Sequence, residues 1–131
     1  MAEIKSYTDL EQSKALSKII RPESADFCWG IDAETLQFNC SPYPCPWKDY
    51  TCKEYYVPCW SLAALLELLP YEICDDDGES NFLSIDKEDD KYHLVYSDPQ
   101  GYFDSIESDR FDNCVDACYE MIMKLNEENL L

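Results

Sequence analysis

Cys59 is followed at once by Trp60 and stands where an apolar run, residues 60–69, begins. A thiol in the first turn of a helix feels the positive end of the peptide dipoles. That favours the thiolate, the form of cysteine that attacks carbon. The chain has one histidine, His93, in a β-prone stretch downstream. An imidazole held against such a thiol would act as general base, with Asp98 or Asp104 orienting it. Cys59, His93 and Asp98 are therefore the catalytic constellation the sequence offers. The plainer reading makes Cys59 a small buried hydrophobe and His93 an ordinary strand residue.

Papain-like hydrolases place a Cys-Trp pair of this kind at a helix start. This chain departs from their pattern: the Gly and second Cys of that signature are absent, and Pro58 precedes Cys59. A second chemistry uses the thiols together. Cys40, Cys45, Cys52 and Cys59 could enclose a tetrahedral Zn²⁺, although no two of them form the tight Cys-x-x-Cys knuckle of structural zinc sites. Cys114 and Cys118 are four apart, so they share a face of a helix. Packed free thiols without a cofactor are the expectation, with zinc the alternative. The run Asp75-Asp76-Asp77-Gly78 fails as a calcium loop. Placing Gly78 at position six puts Ile73 and Ser84 where carboxylates are required. Three isolated glycines build no phosphate-binding loop.

The charge is a stronger statement than any motif. The 131 residues carry 28 acids against 10 bases, a formal net charge of -18. Residues 1–71 hold ten acids and six bases; residues 72–131 hold eighteen and four. Such a field repels phosphate backbones and anionic bilayers, which argues against direct nucleic-acid or membrane-surface binding and attracts basic proteins. With 46% hydrophobic and 14% aromatic residues, the chain folds despite its charge. The start, Met1 to Lys5, has no apolar signal segment, so the eight cysteines are expected reduced in a cytoplasmic protein.

These residues need elements to position them. Thr8-Asp9-Leu10-Glu11 reads as a capping box opening a helix over 9–20, ended by Pro22. Residues 60–69 read as a helix sunk in the core, stopped by Pro70. A third helix over 112–126 takes Asp112 as N-cap. Its seam is Val115, Cys118, Ile122 and Leu125, and Glu120–Lys124 is an exposed pair. Residues 36–38 and 54–57 suit short strands, while 41–48 is a proline-rich connecting loop. Residues 82–85, 92–96 and 102–106 suit an antiparallel meander. The expected fold is one α+β domain spanning 1–131, an antiparallel sheet of about four to six strands packed with three helices.

Four segments carry a resemblance. They are Tyr7-Thr8-Asp9-Leu10-Glu11-Gln12-Ser13, Glu23-Ser24-Ala25-Asp26, residues 57–66 (Val57-Pro58-Cys59-Trp60-Ser61-Leu62 onward) and residues 112–122 (Asp112-Asn113, then Asp116-Ala117-Cys118-Tyr119-Glu120-Met121-Ile122). In order and type they resemble a family of small uncharacterised proteins encoded by gut anaerobic bacteria and their phages. The resemblance covers about a third of the chain, implies a mobile-element origin and assigns no activity, cofactor or catalytic residue.

The functional expectation is an acidic protein-interaction protein without enzymatic activity, of phage or mobile-element origin. The aromatic-rich segment 43–60 would supply the contact, with Trp47, Tyr55 and Tyr56 as binding residues. One alternative is an acidic DNA mimic that occupies a basic nucleic-acid-binding protein. The other is a papain-like Cys–His hydrolase built on Cys59 and His93.

Overall fold

The structure is a computed structural model that describes residues 4–32, 34–39, 42–44, 47, 55–75, 77–100 and 104–131. Among them are three α-helices and two antiparallel sheets, of three and four strands, so the α+β class holds. The strands fall into two sheets rather than one. The chain divides into two compact units, Ser6–Leu65, and Leu66–Leu131 together with the residues through Lys5.

In the first unit, helix α1 spans Leu10–Ser17, strand β1 Phe27–Gly30, β2 Tyr43–Pro44 and β3 Tyr56–Cys59. The cap of α1 is Asp9, not Thr8. The Asp9 carboxylate accepts from Gln12 N at 2.8 Å, and the Gln12 side chain accepts from Asp9 N at 3.0 Å. Thr8 is unavailable because its hydroxyl is turned into the core, so the overlapping Asp-x-x-Gln box takes over. The sheet runs β2-β1-β3. Pro44 and Pro58 both sit on its outer strands, where a missing ladder donor is tolerated. The expected loop 41–48 thus contributes a two-residue strand. The expected strand 36–38 shrinks to one bridge between Phe38 and Ile31. The reason is Asp32: its carboxylate takes the N–H groups of Glu34 and Thr35 and turns the chain, with Leu36 at φ 59°.

Helix α2, Leu62–Leu68, follows β3. The expected helix over 60–69, sunk in the core, is shorter and seals only Leu65. Ala63 and Glu67 are exposed and the other leucines half-buried. At two turns, it shows one inward face, with buried Trp60 and Leu69 just beyond its ends.

The second unit holds β4 (Glu72–Cys74), β5 (Ser80–Glu88), β6 (Lys91–Ser97), β7 (Asp104–Glu107) and α3 (Cys114–Glu127). The order β4-β5-β6-β7 is the expected meander with one further strand, β4. Helix α3 buries Val115, Cys118, Ile122 and Leu125, the face its 3.6-residue period implies. Its cap is Asn113, which accepts from Asp116 N at 2.8 Å. Asp112, the expected cap, pairs instead with Lys91. The Glu120–Lys124 pair forms at 3.8 Å.

Candidate functional site

Cys59 ends β3 in the first unit and is fully buried. Its thiol donates to the Thr8 carbonyl at 3.4 Å and lies 3.5 Å from the Thr8 hydroxyl. Since the thiol proton is committed to that carbonyl, the Thr8 hydroxyl donates to sulfur. Ser13, 2.8 Å from Thr8 Oγ1, must then donate to Thr8. Trp29 Nε1 donates to Ser13 Oγ at 3.2 Å, and Trp60 N donates to Thr8 Oγ1 at 3.2 Å. Every member of this buried chain is satisfied. Burial pushes the Cys59 thiol up from its ordinary value, so the sulfur stays protonated. A sealed, protonated thiol is the reverse of what nucleophilic catalysis asks.

The neighbouring bonds continue the pattern. Trp60 Nε1 donates to Ser24 Oγ at 2.9 Å, and Ser24 Oγ donates to the Arg21 carbonyl at 2.7 Å. The Asp26 carboxylate accepts from Ser61 N at 2.9 Å and from the Ser61 hydroxyl. Ser61 Oγ in turn accepts from Ala64 N at 3.2 Å, capping α2. Three of the four segments that carry the resemblance meet in these contacts, where Thr8, Ser13, Ser24, Asp26 and Ser61 each have a structural task.

His93 lies on β6 in the second unit, largely covered, with Nε2 3.4 Å from Glu107 of β7 and Asp86 opposite it in register. Among the described residues the ion-pair partner of His93 is Glu107, not Asp98. Asp98 lines a shallow groove of about 440 Å³ with Tyr71, Phe82, Ser84 and Ser97. Of the three aromatic binding candidates, Trp47 is only 7% exposed and Tyr56 half-buried, while Tyr55 is 37% exposed. The zinc candidates Cys40, Cys45 and Cys52 lie outside the described residues, as does Asp104's side chain. Among the described residues no cluster of three metal-ligating side chains occurs. No described helix is long and apolar enough to cross a membrane.

Two further features stand out, of which sequence reasoning missed the first and saw only the spacing of the second. One is the distal half of the β5–β6 hairpin. Every residue from Ser84 to Lys91 is exposed, so both faces of this stretch of β5 meet solvent, although its β6 partners Leu94 and Val95 are buried. The turn is two residues long, with Asp89 at φ 51° and Asp90 at φ 61°, the geometry of a primed hairpin turn. Its bases are committed locally: Lys91 to Asp112, Arg110 to Glu88 at 3.4 Å, and Lys87 over the Tyr92 ring. Asp86, Asp89 and Asp90 have no ion pair among the described residues. The signal in the sequence was the unbroken charged run 86–91, in which neither parity of a strand is apolar.

The other is a thiol pair at the start of α3. Cys114 Sγ and Cys118 Sγ are 4.0 Å apart. Cys114 is half-buried and Cys118 fully buried. The hydrogen bond from Cys118 brings Cys114 down to about 7, while the same bond and burial push Cys118 up. Burial, with Cys118 nearby, also raises the Tyr96 phenol. Comparison with known proteins finds no family model, no curated protein and no solved structure that matches the chain.

Proposed function

We propose that this is a non-enzymatic interaction protein that docks a basic protein surface through the acidic β5–β6 hairpin. The observation that carries the reading is the exposure of every residue from Ser84 to Lys91, on both faces of the strand. A strand whose two faces are wet buries nothing and contributes little to a core, yet it is held in ladder register to its tip, Glu88 opposite Lys91. The local bases are occupied, so Asp86, Asp89 and Asp90 project uncompensated charge, and Ile85, 45% exposed, offers an apolar contact beside them. Complementary charge of this kind sets association rate and orientation. The aromatic segment is the weaker docking candidate, because Trp47 is buried.

The test compares two isoelectric triple variants binding an Arg/Lys-rich peptide. Replacing Asp86, Asp89 and Asp90 by Asn is expected to weaken binding about tenfold or more. Replacing the exposed Glu11, Glu23 and Glu34 by Gln is expected to change it less than about threefold. Binding to the wild type should also fall steeply between about 50 and about 300 mM salt. Equal losses in the two variants would mean that only net charge is felt and would overturn the assignment to the hairpin.

A further inference from the structure

We propose that Cys114 and Cys118 form a peroxide-reactive dithiol, with Cys114 the thiol that is oxidised and Cys118 the thiol that resolves it. The pair is asymmetric in the way this chemistry requires. Cys114 is reachable at the first position of a 14-residue helix, whereas Cys118 is sealed against the core one turn on. The two sulfurs already touch at 4.0 Å. The proton they share stays on the buried sulfur, where a charge would be costly, and the negative charge develops on the accessible one. The direction of both thiols' acidities agrees with that division.

The reaction balances without a cofactor. The Cys114 thiolate attacks one oxygen of hydrogen peroxide, the O–O bond breaks, and the departing hydroxide takes a proton to become water. Cys114 is then a sulfenic acid. The Cys118 sulfur attacks that sulfur, the S–O bond breaks, and water leaves carrying the Cys118 proton. In sum, two thiols and one peroxide give one disulfide and two waters. The backbone permits closure. Positions four apart in a helix have Cα atoms about 6.2 Å apart, inside the roughly 4.4–6.8 Å that disulfides span. Cys114 is the first helical residue, so its own N–H makes no intrahelical bond and the chain can yield there.

The sequence makes the experiment clean. Cleavage after Arg110 and Lys124 releases residues 111–124, which contain Cys114 and Cys118 and no other cysteine. The native protein is treated with hydrogen peroxide, its remaining thiols are blocked, and the digest is weighed. The expected result is an unblocked peptide about 2 Da lighter than its dithiol form, restored by dithiothreitol, appearing before Cys74 is consumed. Cys74 is the more exposed thiol, so its reacting first would overturn the proposal. So would Cys114 passing to sulfinic acid with Cys118 still reduced. In a C118A variant, dimedone should trap a persistent sulfenic acid on Cys114, and the midpoint of iodoacetamide reactivity should move from about pH 7 toward 9. A midpoint unmoved by that change would refute the role given to Cys118. The wild-type peptide mass decides the matter by itself if the variant does not fold.

Discussion

Thr8→Val is the sharpest probe of the buried polar chain around Cys59. Valine keeps the shape of threonine and removes one oxygen. That oxygen accepts from Trp60 N at 3.2 Å, lies 2.8 Å from Ser13 Oγ and faces Cys59 sulfur at 3.5 Å. Ser13 can rotate toward another acceptor, but the Trp60 N–H, on a fully buried residue, cannot. A stranded buried donor costs about 1–3 kcal/mol, and the lost hydroxyl contacts add about 1 more. The sum, about 2–4 kcal/mol, is a large share of the roughly 5–15 kcal/mol that holds a domain folded. In urea the midpoint should fall by about 1–2 M with an unchanged slope. Thr8→Ser is the control: it keeps the oxygen and loses a methyl, at about 1 kcal/mol. If valine proves no more harmful than serine, the hydroxyl does not hold this network together and the account of Cys59 fails with it.

Two further outcomes follow from the packing and the loops. Leu65 is the sealed residue of α2, so Leu65→Ala should cost about 2–5 kcal/mol in chemical unfolding; a loss below about 0.5 kcal/mol would mean the helix face is misassigned. The Thr35 and Glu34 N–H groups hold the Asp32 carboxyl below its ordinary value of 3.8. A depressed folded value means the turn's contribution is complete above the unfolded value and is lost as pH falls through the folded one. Carboxyl-carbon NMR should therefore give a midpoint for Asp32 below 3.8, and one at or above it would refute the turn.

Regularity decided what could be read from the sequence. The seam of α3 was legible because Val115, Cys118, Ile122 and Leu125 repeat at the helical period, and tertiary structure only had to cover them. Cap positions were not, because Thr8-Asp9-Leu10-Glu11-Gln12 contains two overlapping boxes. The choice between them rests on Cys59 and Trp60, residues that only the fold brings to Thr8. Likewise Asp112 lost its cap to Asn113 through an ion pair with Lys91, across a distance in sequence that local patterns do not reach. Strand β1 was missed because Phe27-Cys28-Trp29-Gly30 shows no alternation; its last three residues are all buried. At the candidate sites, Cys59 was legible as unusual, but the sign of its chemistry was not. Burial decides it, and the residues that enclose the thiol, Thr8 among them, lie as far as 51 positions away. The Cys114–Cys118 spacing was visible, while the contact between the sulfurs and their unequal burial needed the sheet beneath the helix.

The two-residue turn at Asp89-Asp90 bears on the entropy of recognition. A charged surface loop must surrender backbone freedom when it is gripped, about 1–2 kcal/mol for each residue fixed. Here the ladder runs unbroken from Phe82–Ser97 to Glu88–Lys91, and the turn has no slack beyond it. The backbone that carries Asp86, Asp89 and Asp90 has surrendered its freedom on folding. A partner that engages them immobilises only short side chains, at about 0.5–1.5 kcal/mol each at most. The hairpin is therefore a pre-stiffened bracket for charge, and little of the attraction it offers a partner is spent on ordering backbone.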